Sequence, residues 1–114
     1  MELEEGYSKV KLETTDDMVV DETGLIHGGY TFGLADFAAM IAINHPNVVL
    51  GGSHVRFVEP VKVGDIMIAE AQLMNVEDGK LIVDVNITVD EKVVFIGEFI
   101  CFAPEKHVLD DLKK

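Results

Sequence analysis

Asp36 is out of place in its surroundings, and its carboxylate is the strongest candidate for chemistry in the sequence. It is the only charged residue between Gly28 and Ile43, a run made mostly of apolar residues. Burying a carboxylate without a partner is costly, so the group takes up a proton or finds hydrogen bonds. Asp36 is therefore either a structural hydrogen-bonding hub or a catalytic base or nucleophile.

Two adjacent glycines, Gly28 and Gly29, lie at the start of this run, directly after His27. At a helix start their N–H groups have no intrahelical partner and can hold an oxyanion or a polarised carbonyl. A plain tight turn explains the same residues, and His27 is either a turn histidine or a polar contact to a ligand. An amide donor at Gly28 and a carboxylate eight residues later suit acyl transfer, for which we expect both groups to point into one small region.

The elements that would position these groups follow from the hydrophobic pattern. One helix, roughly 30–44, has no polar face, so we expect it to be buried on most sides and to end before Pro46. Strands are predicted at 7–12, 48–58, 66–76, 81–89 and 93–102. Within them we expect a bulge at Gly51-Gly52, a hairpin at Asp78-Gly79, a central last strand ending before Pro104, and then a short helix or a frayed tail.

This order of elements predicts an α+β fold in which a curled antiparallel sheet of about five strands wraps around one helix. The 114 residues form one predicted domain, 1–114. One helix cannot cover so apolar a sheet, so we expect dimerisation through strand edges or sheet faces.

Composition excludes several functional classes. Nine basic residues against 21 acidic ones give a formal charge of −12 with no basic patch, so we expect neither a nucleic-acid nor a membrane partner. An acidic N-terminus, no apolar run long enough to span a membrane and a single cysteine predict a soluble, cytoplasmic protein. Cys101 is interpreted as a core thiol. The four histidines show no metal-ligand spacing, so we predict no metal.

Two motifs carry a resemblance to a known family. Residues 27–36, His-Gly-Gly-Tyr-Thr-Phe-Gly-Leu-Ala-Asp, resemble the His-Gly-Gly-x-x-Phe-x-Leu-Ala-Asp motif of hotdog-fold acyl-CoA thioesterases of the 4-hydroxybenzoyl-CoA and phenylacetyl-CoA type. Residues 57–65, Phe-Val-Glu-Pro-Val-Lys-Val-Gly-Asp, are similar to the family's aromatic-x-x-Pro-x-x-x-Gly-Asp connection. With the matching element order, the resemblance spans nearly the whole chain.

The resemblance implies a hotdog fold, sites at the interface of a homodimer or a dimer of dimers, and hydrolysis of an acyl-CoA thioester to free acid and coenzyme A. Asp36 would activate water or attack the thioester itself, and the Gly28 amide would polarise the carbonyl, with His27 beside it. Coenzyme A is then part of the substrate, so no separate cofactor is expected.

Five further residues are candidates for substrate binding: Gly29, Asp21, Ser53, His54 and Arg56. Asp21 occupies a position where many relatives carry asparagine or glutamine, so it is a second acid or the water is held differently. Relatives place a serine or threonine on the strand after the helix, and Ser53 lies a few residues out of that register. Because coenzyme A is an anion, Arg56 and Lys62 are the expected local cations.

Other functions remain open beside hydrolysis. The alternative is a non-catalytic protein that binds or senses acyl-CoA on the same fold. A sensor that acts on transcription would carry a DNA-binding segment, for which we expect no room in an acidic sequence of 114 residues. A dehydratase would need a histidine and carboxylate pair in a different motif, which we do not find, and a purely structural dimer is the last possibility.

Overall fold

One antiparallel sheet wraps around one helix in the computed structural model, which describes residues 2–4, 6–44, 48–77 and 79–102, the first three by backbone alone. The chain order is β1 (Glu2–Glu4), β2 (Tyr7–Glu13), α1 (Gly28–Ile43), β3 (Val49–Phe57), β4 (Ile66–Glu77), β5 (Lys80–Val89) and β6 (Lys92–Phe102). In the sheet the strands are ordered β1-β2-β4-β5-β6-β3. The expected hotdog architecture is confirmed, with the three-residue β1 as an addition that the sequence did not predict.

The core lies between the helix and the inner face of the sheet. Strand β5 alternates along its length, so that its apolar side chains are buried while the residues between them face outward; the buried set is Leu81, Val83, Val85, Ile87 and Val89. This period of two is what a sheet with one wet face requires. Phe95 and Phe99 of β6 are fully buried on the face of the sheet that carries the helix. The helix contributes mainly small residues, which let its backbone approach the sheet closely; its buried residues are Thr31, Leu34, Ala35, Ala38, Ala39 and Ala42.

The helix begins at Gly28, two residues before the predicted start. Glycine disfavours helix interiors, but the side chain of His27 caps this end and allows both glycines to form the first turn. The helix ends at Ile43, and Asn44 takes the left-handed conformation that commonly follows a helix, with φ 51°. His45 and Pro46, which were expected to end it, lie outside the described residues.

The five predicted strands agree with the structure to within one residue at each end. The predicted bulge is confirmed by a register shift between Leu50 and Gly52. Strand β6 lies between β5 and β3, so its predicted interior position is also confirmed. Gly79 has φ +79°, as the tight hairpin requires. Asp78, Pro104 and the predicted helix or frayed tail lie outside the described residues.

Strand β3 is an edge of the sheet, and an apolar surface lies beside it. On the helix, Tyr30 and Phe37 are exposed on one side, with Gly33 between them. On β3, Val55 and Phe57 are exposed as well. The expectation that the helix is buried on most sides therefore holds for its sheet-facing sides and not for this stripe.

In the described ranges, no helix combines the length and apolarity that a membrane crossing needs.

Candidate active site

One oxygen of the Asp36 carboxylate is buried without a hydrogen-bond partner among the described residues. The side chain is half-buried, and its Oδ1 atom is buried with no hydrogen-bond donor in the described part of the chain. Burial raises the pKa of Asp36 above its ordinary value of 3.8, because the charged form is poorly solvated there. A structural hub would use both oxygens in hydrogen bonds, so the free Oδ1 atom favours the catalytic interpretation.

Cys101 of β6 is a neighbour of Asp36 that the sequence did not predict. The thiol is fully buried, which confirms the expectation of a core thiol. Burial raises its pKa to about 11, and the negative charge of Asp36 adds to the rise. The thiol is therefore neutral near neutral pH, which disfavours a nucleophilic role for Cys101.

At the helix start, His27 is a cap. Its Nδ1 atom accepts a hydrogen bond of 2.8 Å from the N–H of Gly29, so that this amide is occupied. The His27 backbone N–H donates to the Met18 carbonyl at 2.9 Å, which fixes the chain as it enters the helix. No hydrogen bond from the Gly28 N–H is found within the described residues. Of the two glycine amides, Gly28 is the one left to polarise a carbonyl.

Gly28 and Asp36 lie eight residues apart on one continuous helix. At about 1.5 Å of rise per residue, this separates them by about 12 Å along the helix axis. A carbonyl group held by both would need each within about 3 Å of the reacting atoms. The expectation that the two groups point into one small region is therefore wrong for a single chain, because the glycines belong to the helix and do not fold back over it.

A cavity of about 170 Å³ lies beside Gly28, between the helix start and the connection after β3. Its lining is mostly apolar: Leu25, Ile26, Gly28, Thr31, Phe57, Val58, Glu59, Pro60 and Val61. The ring of Phe57 covers Gly28 so closely that a Cβ atom added there would meet ring atom Cε1 at 3.3 Å. The sequence suggests Phe57 both as the aromatic residue of a motif and, with Phe32, Phe37 and Met40, as a candidate for an apolar pocket. Its contact with Gly28, which spans 29 positions of sequence, was not predicted.

The three candidates on β3 are divided between the two faces of the sheet. Ser53 pairs with Phe99, a fully buried residue, and so lies on the helix side. His54 and Arg56 alternate with it and lie on the outer face. There they line an open groove of about 850 Å³, whose lining also includes Ser53, Asp84, Asn86 and Glu98. The three candidates therefore border one groove, although the Ser53 side chain lies on the helix side, and their place beside the site of Asp36 stays a prediction.

The outer groove is larger than the cavity beside Gly28, but neither Asp36 nor Gly28 lines it. We therefore place the candidate site on the helix side, where the unpaired carboxylate and the free amide are. In the same described residues, no group of three or more histidine, cysteine or acidic side chains is arranged to hold a metal ion.

Asp21 organises a surface turn. Its Oδ1 atom accepts hydrogen bonds from the Thr23 N–H at 2.9 Å, the Thr23 hydroxyl at 2.7 Å and the Leu25 N–H at 3.2 Å. The Thr23 hydroxyl and the backbone amides hold the pKa of Asp21 below its ordinary value. Within one chain it is an exposed, ionised turn residue. Lys62, the other expected cation, is exposed on the connection after β3, where its backbone N–H donates to Asp65 Oδ2 at 2.9 Å.

Comparison with known proteins decides the family. The model of the thioesterase superfamily matches residues 23–96, which contain the helix, both motifs and most of the sheet. The chain belongs to the thioesterase superfamily. The hotdog thioesterase fold and the resemblance carried by the two motifs are thereby confirmed.

Among solved structures, this thioesterase-superfamily chain is similar to the uncharacterised protein PH1136 from Pyrococcus horikoshii, with 56% identity and a TM-score of 0.92 over 95% of this chain and 83% of that one. A curated relative is methylthioribose-1-phosphate isomerase from Aquifex aeolicus, 48% identical over 83% of this chain and 21% of that protein. Another is the transcription factor FapR from Caldanaerobacter subterraneus subsp. tengcongensis, 36% identical over 96% of this chain and 55% of that protein. The chain thus spans about half the length of FapR and about a fifth of the isomerase.

Proposed function

We propose that the protein hydrolyses an acyl-CoA thioester to a free acid and coenzyme A, with Asp36 as the general base or nucleophile and the Gly28 amide polarising the carbonyl. The observation that carries the proposal is the buried, unpaired Oδ1 atom of Asp36 on the helix that Gly28 opens. A carboxylate with a raised pKa is a better base than an ordinary one, and a free amide at a helix start is a suitable oxyanion donor.

The separation of about 12 Å along the helix indicates that a complete site needs two chains. We propose a homodimer in which β3 edges pair and the two helices run antiparallel around a twofold axis. In such a pair, residues before the crossing point on one helix face residues after it on the other helix. If the helices cross near Gly33, which has open space around it, the partner's Asp36 falls within about one turn of Gly28.

The apolar surface supports this dimer. Phe37 is 53% exposed and Phe57 54% exposed in the single chain, with Tyr30 and Val55 beside them. Exposed large apolar side chains on a helix and along the edge strand of a sheet are typical of an interface. Two such dimers pairing through their outer faces would give the expected dimer of dimers. We also place the protein in the cytoplasm, in agreement with its buried, reduced cysteine.

The direct test of hydrolysis is the release of free thiol by the purified protein from acetyl-, butyryl-, hexanoyl-, decanoyl-, benzoyl- and phenylacetyl-CoA. We expect turnover of at least one of these, and the same substrates are titrated by calorimetry to measure binding. Tight binding of an acyl-CoA with no thiol release from any of them would contradict the proposal.

That contradicting result would support a second candidate, a non-catalytic acyl-CoA binding protein. The 36% identity with FapR favours it, because FapR is a transcription factor that carries the same domain. Sequence likeness to a regulator makes ligand binding without turnover a concrete alternative. Hydrolysis and non-catalytic binding share the binding of an acyl-CoA. They differ in whether the ionised Asp36 lies close enough to the thioester carbonyl to react.

The proposed dimer leads to a prediction for Phe37. Changing Phe37 to arginine places a charge in the middle of the exposed apolar stripe, so we expect the variant to be monomeric and to lose at least about tenfold in kcat/KM because each site lacks its partner residue. Size-exclusion chromatography with light scattering gives the mass, and thiol release gives the activity. Val76→Arg, at a side chain 61% exposed near the end of β4, is the matched control and should remain dimeric. A monomeric Phe37→Arg variant with full activity would exclude a shared site.

A further inference from the structure

Backbone hydrogen bonds join the two segments that line the cavity beside Gly28. The Ile26 N–H donates to the Val61 carbonyl at 2.7 Å, and the Val63 N–H donates to the Gly24 carbonyl at 2.8 Å. These bonds tie the segment before the helix to the connection after β3, and an isolated bridge pairs Leu25 with Lys62. Because these bonds hold the two segments together, we expect the cavity not to widen between them when a longer ligand binds.

The Phe57 ring is held in place as the cavity's outer wall. It makes an edge-to-face contact with Phe95, with ring centroids 5.2 Å apart and an interplanar angle of 76°. Phe95 is fully buried and anchors that contact. On its other side the ring lies against Gly28, where an added Cβ atom would meet ring atom Cε1 at 3.3 Å and the ring would have to shift slightly. The ring therefore limits the space beside the one free amide of the helix start.

The chemistry of the lining indicates what the cavity accepts. Its one hydroxyl, on Thr31, is turned toward Met67, with Oγ1 to Sδ at 3.6 Å. Its only charged side chain is Glu59, an exposed carboxylate, and no cation lines it. An apolar group fits such a lining, whereas a group that ends in a carboxylate would be repelled and would find no partner.

We propose that this cavity is the acyl pocket of the protein and that Phe57 sets its length limit, an inference that rests on the proposed function. A cavity of about 150 Å³ holds benzene, so the 170 Å³ here accepts uncharged acyl groups of up to about six carbons or one aromatic ring. The substrates are then short-chain, branched or simple aromatic acyl-CoA thioesters. Long-chain and dicarboxylic acyl groups are excluded.

The test compares acyl-CoA thioesters from acetyl to decanoyl, with benzoyl and succinyl, in the full-length protein and its Phe57→Ala variant. We expect kcat/KM of the unmodified protein to fall at least about tenfold from hexanoyl to decanoyl, because added methylenes have no space. Phe57→Ala should move the optimum by roughly two to four carbons toward longer chains. Phe102→Ala is the matched control, since Phe102 is 41% exposed at the far end of β6, and it should leave the profile unchanged.

Binding of the same series, measured by calorimetry, separates this inference from the proposed function. If no thiol is released from any substrate, hydrolysis fails, while the length profile of binding and its shift in Phe57→Ala still test the pocket. Phe57→Leu, with a smaller expected shift, serves if the alanine variant does not fold in a thermal melt. Equal handling of butyryl and decanoyl groups by the unmodified protein, or an equal loss on all chain lengths in the Phe57 variants, would overturn the inference.

Discussion

Changing Asp36 to asparagine is expected to lower kcat/KM for thioester hydrolysis by at least about 10²-fold while the protein keeps its fold. Asparagine has nearly the same shape as aspartate, but it can neither accept a proton from water nor attack a carbonyl. The Oδ1 atom has no hydrogen bond to lose within the described chain, so the substitution breaks no structural contact there. A large kinetic effect with little structural effect is what separates a catalytic carboxylate from a hub.

The raised pKa of Asp36 also determines whether the free energy of unfolding rises or falls with pH. Folding raises the pKa above 3.8, so the folded state binds the proton more tightly than the unfolded chain. At a pH below the pKa of Asp36 in the unfolded chain, both states are protonated and the carboxyl group does not lower the free energy of unfolding. As the pH rises through the folded value the carboxylate ionises in an apolar setting, and stability is lost. At neutral pH, Asp36→Asn should therefore unfold at the same temperature as the unmodified protein or at a higher one.

The measurements are thiol release against pH and thermal unfolding against pH, on the unmodified protein and on Asp36→Asn. The activity of the unmodified protein should rise with pH as Asp36 loses its proton, at a higher pH than for an ordinary carboxylate. Asp84→Asn is the matched control, because Asp84 is exposed on the outer face of β5. Unchanged thiol release in Asp36→Asn would remove this residue from the mechanism, and a large loss of stability would favour the structural hub.

The sequence predicted the fold well because the determinants of the fold are local and periodic. Strand β5 could be placed to within a residue since Leu81, Val83, Val85, Ile87 and Val89 alternate without interruption. The helix start was placed two residues late, because Gly28 and Gly29 were interpreted as lying just ahead of the helix and glycine has a low helix propensity. The hydrogen bond from the Gly29 N–H to His27 reverses that preference, and a cap of this kind depends on a side-chain orientation that no pattern states.

The site was less predictable, because it depends on contacts that are distant in sequence. Eight residues between Gly28 and Asp36 suggested proximity, whereas a continuous helix makes the same eight residues a distance of about 12 Å. The strict alternation of β3 could have placed His54 and Arg56 on the face opposite Ser53. The contact between Phe57 and Gly28, by contrast, results from the return of the chain after β3, and only the folded structure contains it.

Phe37, Gly33 and Asp36 share the exposed side of one helix, and this neighbourhood explains how a carboxylate can be kept unpaired. The described residues give Asp36 no donor for its Oδ1 atom, which costs stability without a benefit to a single chain. In the proposed dimer the same carboxylate faces the partner's helix start, where unmatched N–H groups and the helix dipole favour a negative charge. If the proposed dimer forms, the missing partner of Oδ1 among the described residues and the pairing of two chains have one explanation in the position of Asp36 on the helix.

Changing Gly28 to proline is expected to lower kcat by about 10²–10³-fold relative to Gly28→Ala, because proline removes the N–H group that polarises the carbonyl. Gly28 is the first helical residue, a position where proline is tolerated since its N–H has no intrahelical partner. His27 has φ −60° and ψ 132°, the extended conformation that a residue before proline prefers. Alanine is the matched control: both variants press a Cβ atom against Phe57, but only proline lacks the donor.

Kinetics of thiol release and a thermal melt on both Gly28 variants give the comparison. Equal activity of the proline and alanine variants would exclude the Gly28 amide as the donor. Co-expression of Gly28→Pro chains with Asp36→Asn chains then tests whether the site is shared. In a symmetric dimer with shared sites, each hybrid has one site with both native groups, so a random mixture recovers about a quarter of the native activity. If each site were built within one chain, every site of every dimer would carry one defect, and the mixture would stay as inactive as its components.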